Sequence, residues 1–212
     1  MGSIMKMGLK SYLVFTSLLY RIVMYVLLPI VLAGIYIYLE KYISVEASMI
    51  VIAELLTAAE IISDNWMFGG IQAKDSAKLD FLKTSGRGMK IMKNALAMDL
   101  FRKFLSAAGI LVLCSLALTD GMVLDIWTVI YLLLVSYFFS VFGMLISRFF
   151  TLLWCNMLTS YVANFLAILC CVLPGLPEKA LWYDMLFAIL GIGISILAVN
   201  MAMKRVKAQY IG

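Results

Sequence analysis

QAKDSAKLDFLKTSGRGMKIMKNALAMDLFRK, residues 72–103, is where an otherwise apolar chain turns polar and basic. Lys74, Lys78, Lys83, Arg87, Lys90, Lys93, Arg102 and Lys103 stand against only Asp75, Asp80 and Asp99. Helical apolar spacing persists within it. Leu79 and Leu82 fall on one side of a segment over Asp75–Thr84, and Met89, Met92 and Leu96 mark a second helix running into the apolar run beyond. Thr84-Ser85-Gly86 breaks the two, with Ser85 placed to cap the second. A turn between two membrane spans needs only a few residues, so this excursion is long enough to dock on a soluble partner.

On both sides of it the sequence is oil. The 212 residues are 65% hydrophobic and 14% charged, with a mean hydropathy of +1.04; a soluble domain carries about a quarter charged residues. Apolar runs of about 20 residues recur, the length that crosses a bilayer as helix. The alternation of a membrane β-barrel is absent. The expected fold is all-α: a single transmembrane domain over 1–212 with six spans at 22–39, 48–69, 104–118, 126–146, 151–173 and 183–203. Residues 3–20 are expected to form an interfacial helix, with Lys6 and Lys10 toward headgroups and Leu9, Leu13 and Leu18 toward acyl chains. Arg21 separates it from the first span, and Pro29 is expected to kink that span. Met1–Lys10 leads into a long apolar run without a small-residue cleavage site, so the first span is expected to stay in the mature chain.

Charge sets the orientation. Lys6, Lys10, Arg21, the eight basic residues of 72–103, Arg148, Lys204, Arg205 and Lys207 fall on one side, and Lys41 and Lys179 on the other. The positive-inside rule then places both termini and the excursion in the cytoplasm of a multi-pass protein of the cell membrane. The formal charge of +5 follows from that orientation and does not point to nucleic acid.

Several chemistries are excluded by what the chain lacks. It has no His, which removes imidazole metal sites and imidazole acid–base catalysis. Cys114, Cys155, Cys170 and Cys171 lie in apolar runs without metal-ligand spacing and read as small buried hydrophobes. The GxxxxGK[ST] phosphate loop, HExxH, GxSxG and DGxxAR patterns are absent. No catalytic residue, cofactor or metal site is expected in this chain. GIGIS at 191–195 reads as a close helix–helix contact.

The second span carries Glu54, Glu60 and Asp64. An ionised carboxylate at a helix centre costs about 2.5–3.5 kcal/mol on an insertion scale, so this helix cannot simply face lipid. Glu60 and Asp64, four residues apart, share a face that Glu54 does not. Two readings stand. The acids line a substrate path, or Asp64 lies at the cytoplasmic end while Glu60 bonds to a neighbouring helix. The sequence offers no nucleophile, metal ligand or partner cation to complete a catalytic site around them.

An interfacial helix, six spans and a helical excursion between the second and third, carried locally by NWMFGGIQAKDSAKLDFLKTSGRG (65–88), resembles the permease subunit of type-2 ABC exporters. The resemblance implies a coupling helix in which Gln72, Lys74, Asp75, Lys78, Leu79, Asp80, Leu82 and Lys83 engage a separate ABC ATPase subunit. It further implies a second copy of the chain, with ATP and Mg held by the ATPase. The cargo would be a hydrophobic or amphipathic peptide, bacteriocin or drug. The family usually carries longer extracellular helices before the last span; here Pro174–Trp182 is short. Two other functions fit the same composition: a non-ATP membrane immunity or scaffold protein, and an intramembrane enzyme acting on lipid.

Overall fold

The computed structural model describes residues 2–72, 85–116, 126–147, 153–172 and 180–211. Of these, 95% are helical and none is in a strand. The chain opens with α1 (Gly2–Phe15) and α2 (Leu18–Ile22), continues through a π-helical stretch at Val23–Leu27, and runs on as α3 (Leu28–Leu39). Then come α4 (Val45–Gln72), α5 (Gly86–Leu116), α6 (Ile126–Ser147), α7 (Leu153–Val172) and α8 (Ala180–Ile211). Three stretches are long and apolar enough to cross a membrane: Leu18–Leu39, Ile126–Leu145 and Trp182–Lys204. Helix α7 contributes a shorter apolar segment, Leu158–Val172. Helices α4 and α5 are long as well, but charges interrupt their apolar character.

The first helix stops earlier than the sequence reading places it. It ends at Phe15, and the apolar rod begins at Leu18 instead of Ile22. Ser17 makes the break: extended at φ −73° and ψ 158°, it caps α2 by accepting a hydrogen bond from the Tyr20 N–H at 3.1 Å. Arg21 does not divide the elements. It sits one turn inside the rod and reaches back to the Ser17 carbonyl at 3.4 Å. Pro29 has a consequence one turn upstream. Its ring crowds the carbonyl four residues back, that of Tyr25, and Tyr25 lies in the wider π turn that accommodates this conflict.

Helix α6 is the hub. Helices α4, α5, α7 and α8 all pack against it, while α1 packs on α5. Of the apolar window in α6, 61% is buried, against 17% for Leu18–Leu39 and 28% for Trp182–Lys204. The outer rods therefore present most of their apolar surface outward. Leu18, Leu116, Ile189 and Ile192 are all more than half exposed. Such a belt of large exposed hydrophobics is a liability in water and ordinary against acyl chains, so the fold is compatible with a membrane protein.

Small residues let the helices approach. A Cβ added to Gly143 would fall 2.5 Å from Ile61 Cγ1, so only glycine admits α4 at this crossing. One turn away Thr57 and Ser136 share a hydrogen bond at 2.9 Å. The GIGIS stretch meets α6 at one of its two glycines, in ordinary van der Waals contact, while Gly193 has nothing within 4 Å of an added Cβ. Gly191 lies against the Tyr137 ring, and Tyr137 and Ser195 share a hydrogen bond at 2.8 Å.

The interior divides into two apolar clusters. One gathers Tyr36, Met49, Ile52, Leu56, Leu111, Tyr131 and Phe139. The other gathers Tyr20, Met92, Leu96, Leu100, Met144 and Ala198. Along α5 the second cluster ends at Leu100 and the first begins at Ala107. The residues between include Arg102 and Lys103.

Candidate functional site

The join between these two cores is charged. Helix α5 runs unbroken for 31 residues, about 46 Å, so Asp99, Arg102 and Lys103 lie inside the bundle and not on a solvated loop. Their exposures are 0%, 7% and 1%. Helix α4 meets them with Glu60 and Asp64, exposed by 2% and 4%.

The pairing is dense. The Arg102 guanidinium donates to both carboxylate oxygens of Glu60, at 2.8 Å from Nη1 to Oε1 and more closely from Nη2 to Oε2. Its Nε donates to Asp99 Oδ1 at 2.9 Å. Lys103 Nζ donates to Asp64 Oδ2 at 2.9 Å and to the Glu60 carbonyl at 3.3 Å, and lies 3.5 Å from Glu60 Oε2. Ser63 Oγ donates to the Glu60 carbonyl at 2.8 Å. The Tyr20 ring covers the guanidinium with its centroid 6.0 Å away, a cation–π distance. Three carboxylates against two cations leave one formal negative charge in the network. Asp99 Oδ2 has no hydrogen-bond partner among the described residues.

Burying charges is costly, and geometry offsets the cost only when nearly every polar atom finds a partner. Here the helical spacing does that work. Glu60 and Asp64 are one turn apart on α4, and Arg102 and Lys103 sit side by side on α5, so a single crossing joins both pairs. The fork of arginine suits the bidentate contact with Glu60, and lysine supplies a compact charge for Asp64.

Glu54 sits apart from this network. It is half-buried toward α7, where the Cys171 thiol lies 3.8 Å from its Oε1, and its Oε2 is without a hydrogen-bond partner among the described residues. The three acids singled out from the sequence thus separate into a paired set, Glu60 and Asp64, and a solitary Glu54. Of the proposed coupling residues, Gln72 closes α4. Lys74, Asp75, Lys78, Leu79, Asp80, Leu82 and Lys83 lie outside the described residues. Just past them Ser85 caps α5 as expected, its Oγ accepting from the Gly88 N–H at 2.9 Å.

Sequence reasoning found no partner cation for the acids because it began the third span at Phe104 and counted Arg102 and Lys103 among loop charges. A signal was present. Two carboxylates one turn apart in an apolar helix require cations, and adjacent Arg and Lys border the next apolar run. Among the described residues, no group of three or more Cys, Asp or Glu is arranged to hold a metal ion. No protein-family model, curated protein or solved structure matches this chain.

Proposed function

We propose that this chain is the permease subunit of an ATP-driven exporter, with six spans, both termini in the cytoplasm and two copies working with a separate ABC ATPase. The observation that carries the reading is the bracing of α4 to α5. These are the helices on either side of the 73–84 link, and buried ion pairs join them inside the bundle. A push on the link by a nucleotide-driven partner would reach the bundle through two helices moving as one unit, which is what a coupling element needs. Helices meeting only through lipid-like side chains would slide. The basic excess on the proposed cytoplasmic side stays large even without Arg102 and Lys103.

The chain would do no covalent chemistry. Ion pairing engages Glu60 and Asp64, which favours a structural role for them over acid–base work on lipid. ATP and Mg would be bound by the ATPase, and the cargo would be hydrophobic or amphipathic. Gentle detergent extraction of the tagged chain should co-purify an ATPase, and joint replacement of Lys78, Leu79 and Leu82 should abolish that association. Unchanged association in the triple variant would reject the coupling role. Absence of any ATPase from the wild-type preparation would favour a non-ATP membrane scaffold.

A further inference from the structure

A groove of about 420 Å³ runs between α1, the π-helical stretch and α5. It has two unlike ends. Near Met98 the wall carries Tyr12, Tyr25 and Arg102; the Tyr25 hydroxyl donates to that of Tyr12 at 2.8 Å, and Arg102 is more than nine-tenths buried. From there the floor follows Leu105, Gly109 and Leu113, an i, i+4 line of apolar residues along one face of α5, with Ser106 the one polar side chain beside it. Tyr25 is contributed by the π-helical stretch.

We propose that this groove binds one acyl chain of a membrane phospholipid, with the ester region of that lipid at the Tyr12–Tyr25 hydroxyl pair. Dimensions choose this occupant. From Met98 to Leu113 the helix rises about 22 Å, so the groove is a slot several times longer than it is wide. A helix from a second copy, about 10 Å across with its side chains, is broader than this slot. The apolar part, from Arg102 to Leu113, spans about 16 Å as helix, close to one hydrocarbon leaflet of about 15 Å. Charge favours a lipid held through its neutral ester groups. The network behind Arg102 already carries a formal negative charge, so a second anion pressed onto Arg102 would be repelled by Glu60 and Asp99. This inference does not rest on the ATP-driven reading.

The test uses the full chain in detergent with a trace of phosphatidylcholine carrying a diazirine in one acyl chain. After illumination, labelled peptides are mapped by mass spectrometry. Labelling should concentrate on the α5 face at Leu105–Leu113 and on the π-helical stretch, above the level on the exposed α8 face at Ile189 and Ile192. A Cβ at Gly109 meets nothing within 4 Å, so the side chain of Gly109→Phe starts into open groove space and should reduce groove labelling to the α8 level, with an unchanged unfolding midpoint showing that the core is intact. Tyr25 already donates its proton to Tyr12 and an ester only accepts, so Tyr12 carries the donor. Tyr12→Phe keeps the ring, removes that hydrogen bond and should weaken labelling about fivefold. Labelling spread evenly over all exposed faces, or unchanged in Gly109→Phe, would overturn the site. Unchanged labelling in Tyr12→Phe would overturn the polar anchor. Cross-links joining two copies through groove residues would overturn the lipid in favour of a second chain.

Discussion

Replacing Lys103 by Met removes the cation that lies 2.9 Å from Asp64 and one of the two cations beside Glu60. Asp64 is 4% exposed and Lys103 1%, so neither group can turn to water. Breaking such a pair from one side costs about 3–5 kcal/mol, because an uncompensated charge stays buried. At about 2–4 °C per kcal/mol for a chain of this size, the unfolding midpoint in detergent should fall by roughly 6–20 °C. Asp64→Leu should cost less, about 1–3 kcal/mol, because Lys103 loses its closest acceptor but keeps Glu60 at 3.5 Å. Combining them should return stability to within about 1 kcal/mol of the parent, since an apolar pair of similar volume is tolerated where a lone charge is not. The Glu60–Arg102–Asp99 contacts stay in place in all four proteins, and the loss of the Lys103–Glu60 contact is common to the single Lys103→Met and the double variant. Thermal or denaturant unfolding of the four proteins closes the cycle. Additive losses in the double variant, or single variants within about 0.5 kcal/mol of the parent, would show that the two side chains are not coupled and would refute the bracing.

Other outcomes follow from the same packing. Arg102→Lys keeps the charge but cannot serve Glu60 through two nitrogens and Asp99 through a third; it should cost about 1–3 kcal/mol by unfolding, through the acceptors left unmet. Gly143→Ala places a methyl against the β-branched, stiff Ile61 and should cost about 1–3 kcal/mol as overpacking; Ile61→Ala in the same chain should recover part of the loss, and no recovery would place the strain elsewhere. Ser195→Ala removes the hydroxyl shared with Tyr137 and should cost about 0.5–1.5 kcal/mol, read as a lower midpoint without loss of helical circular dichroism.

Much of the architecture was legible because its causes are local. Apolar runs in Leu18–Leu39, Ile126–Leu145 and Trp182–Lys204 are visible as composition, since a helix must satisfy its backbone internally in hydrocarbon. The Ser85 cap and the GIGIS contact were legible for the same reason: capping and close approach depend on a few neighbouring residue types. Ends were less legible. The break at Thr16-Ser17 depends on one hydroxyl meeting one N–H, and nothing in hydropathy separates it from a break at Arg21. The groove was not legible at all, because Tyr12, Tyr25 and Gly109 come from three elements and meet only when α1 lies against α5.

The sequence by itself determined that this chain is helical and suited to a bilayer, and that its charges lie unevenly along it. Each is a sum over residues and survives any arrangement of the helices. Only the tertiary structure decided what the charges at 99, 102 and 103 are for. Counted along the chain they belong to a basic excursion; folded, they cross α4 at Glu60 and Asp64 and become buried partners. Coulomb attraction depends on distance in space and on the dielectric around the pair. Both are properties of the packed bundle, where side chains about 40 positions apart on consecutive helices come within 3 Å.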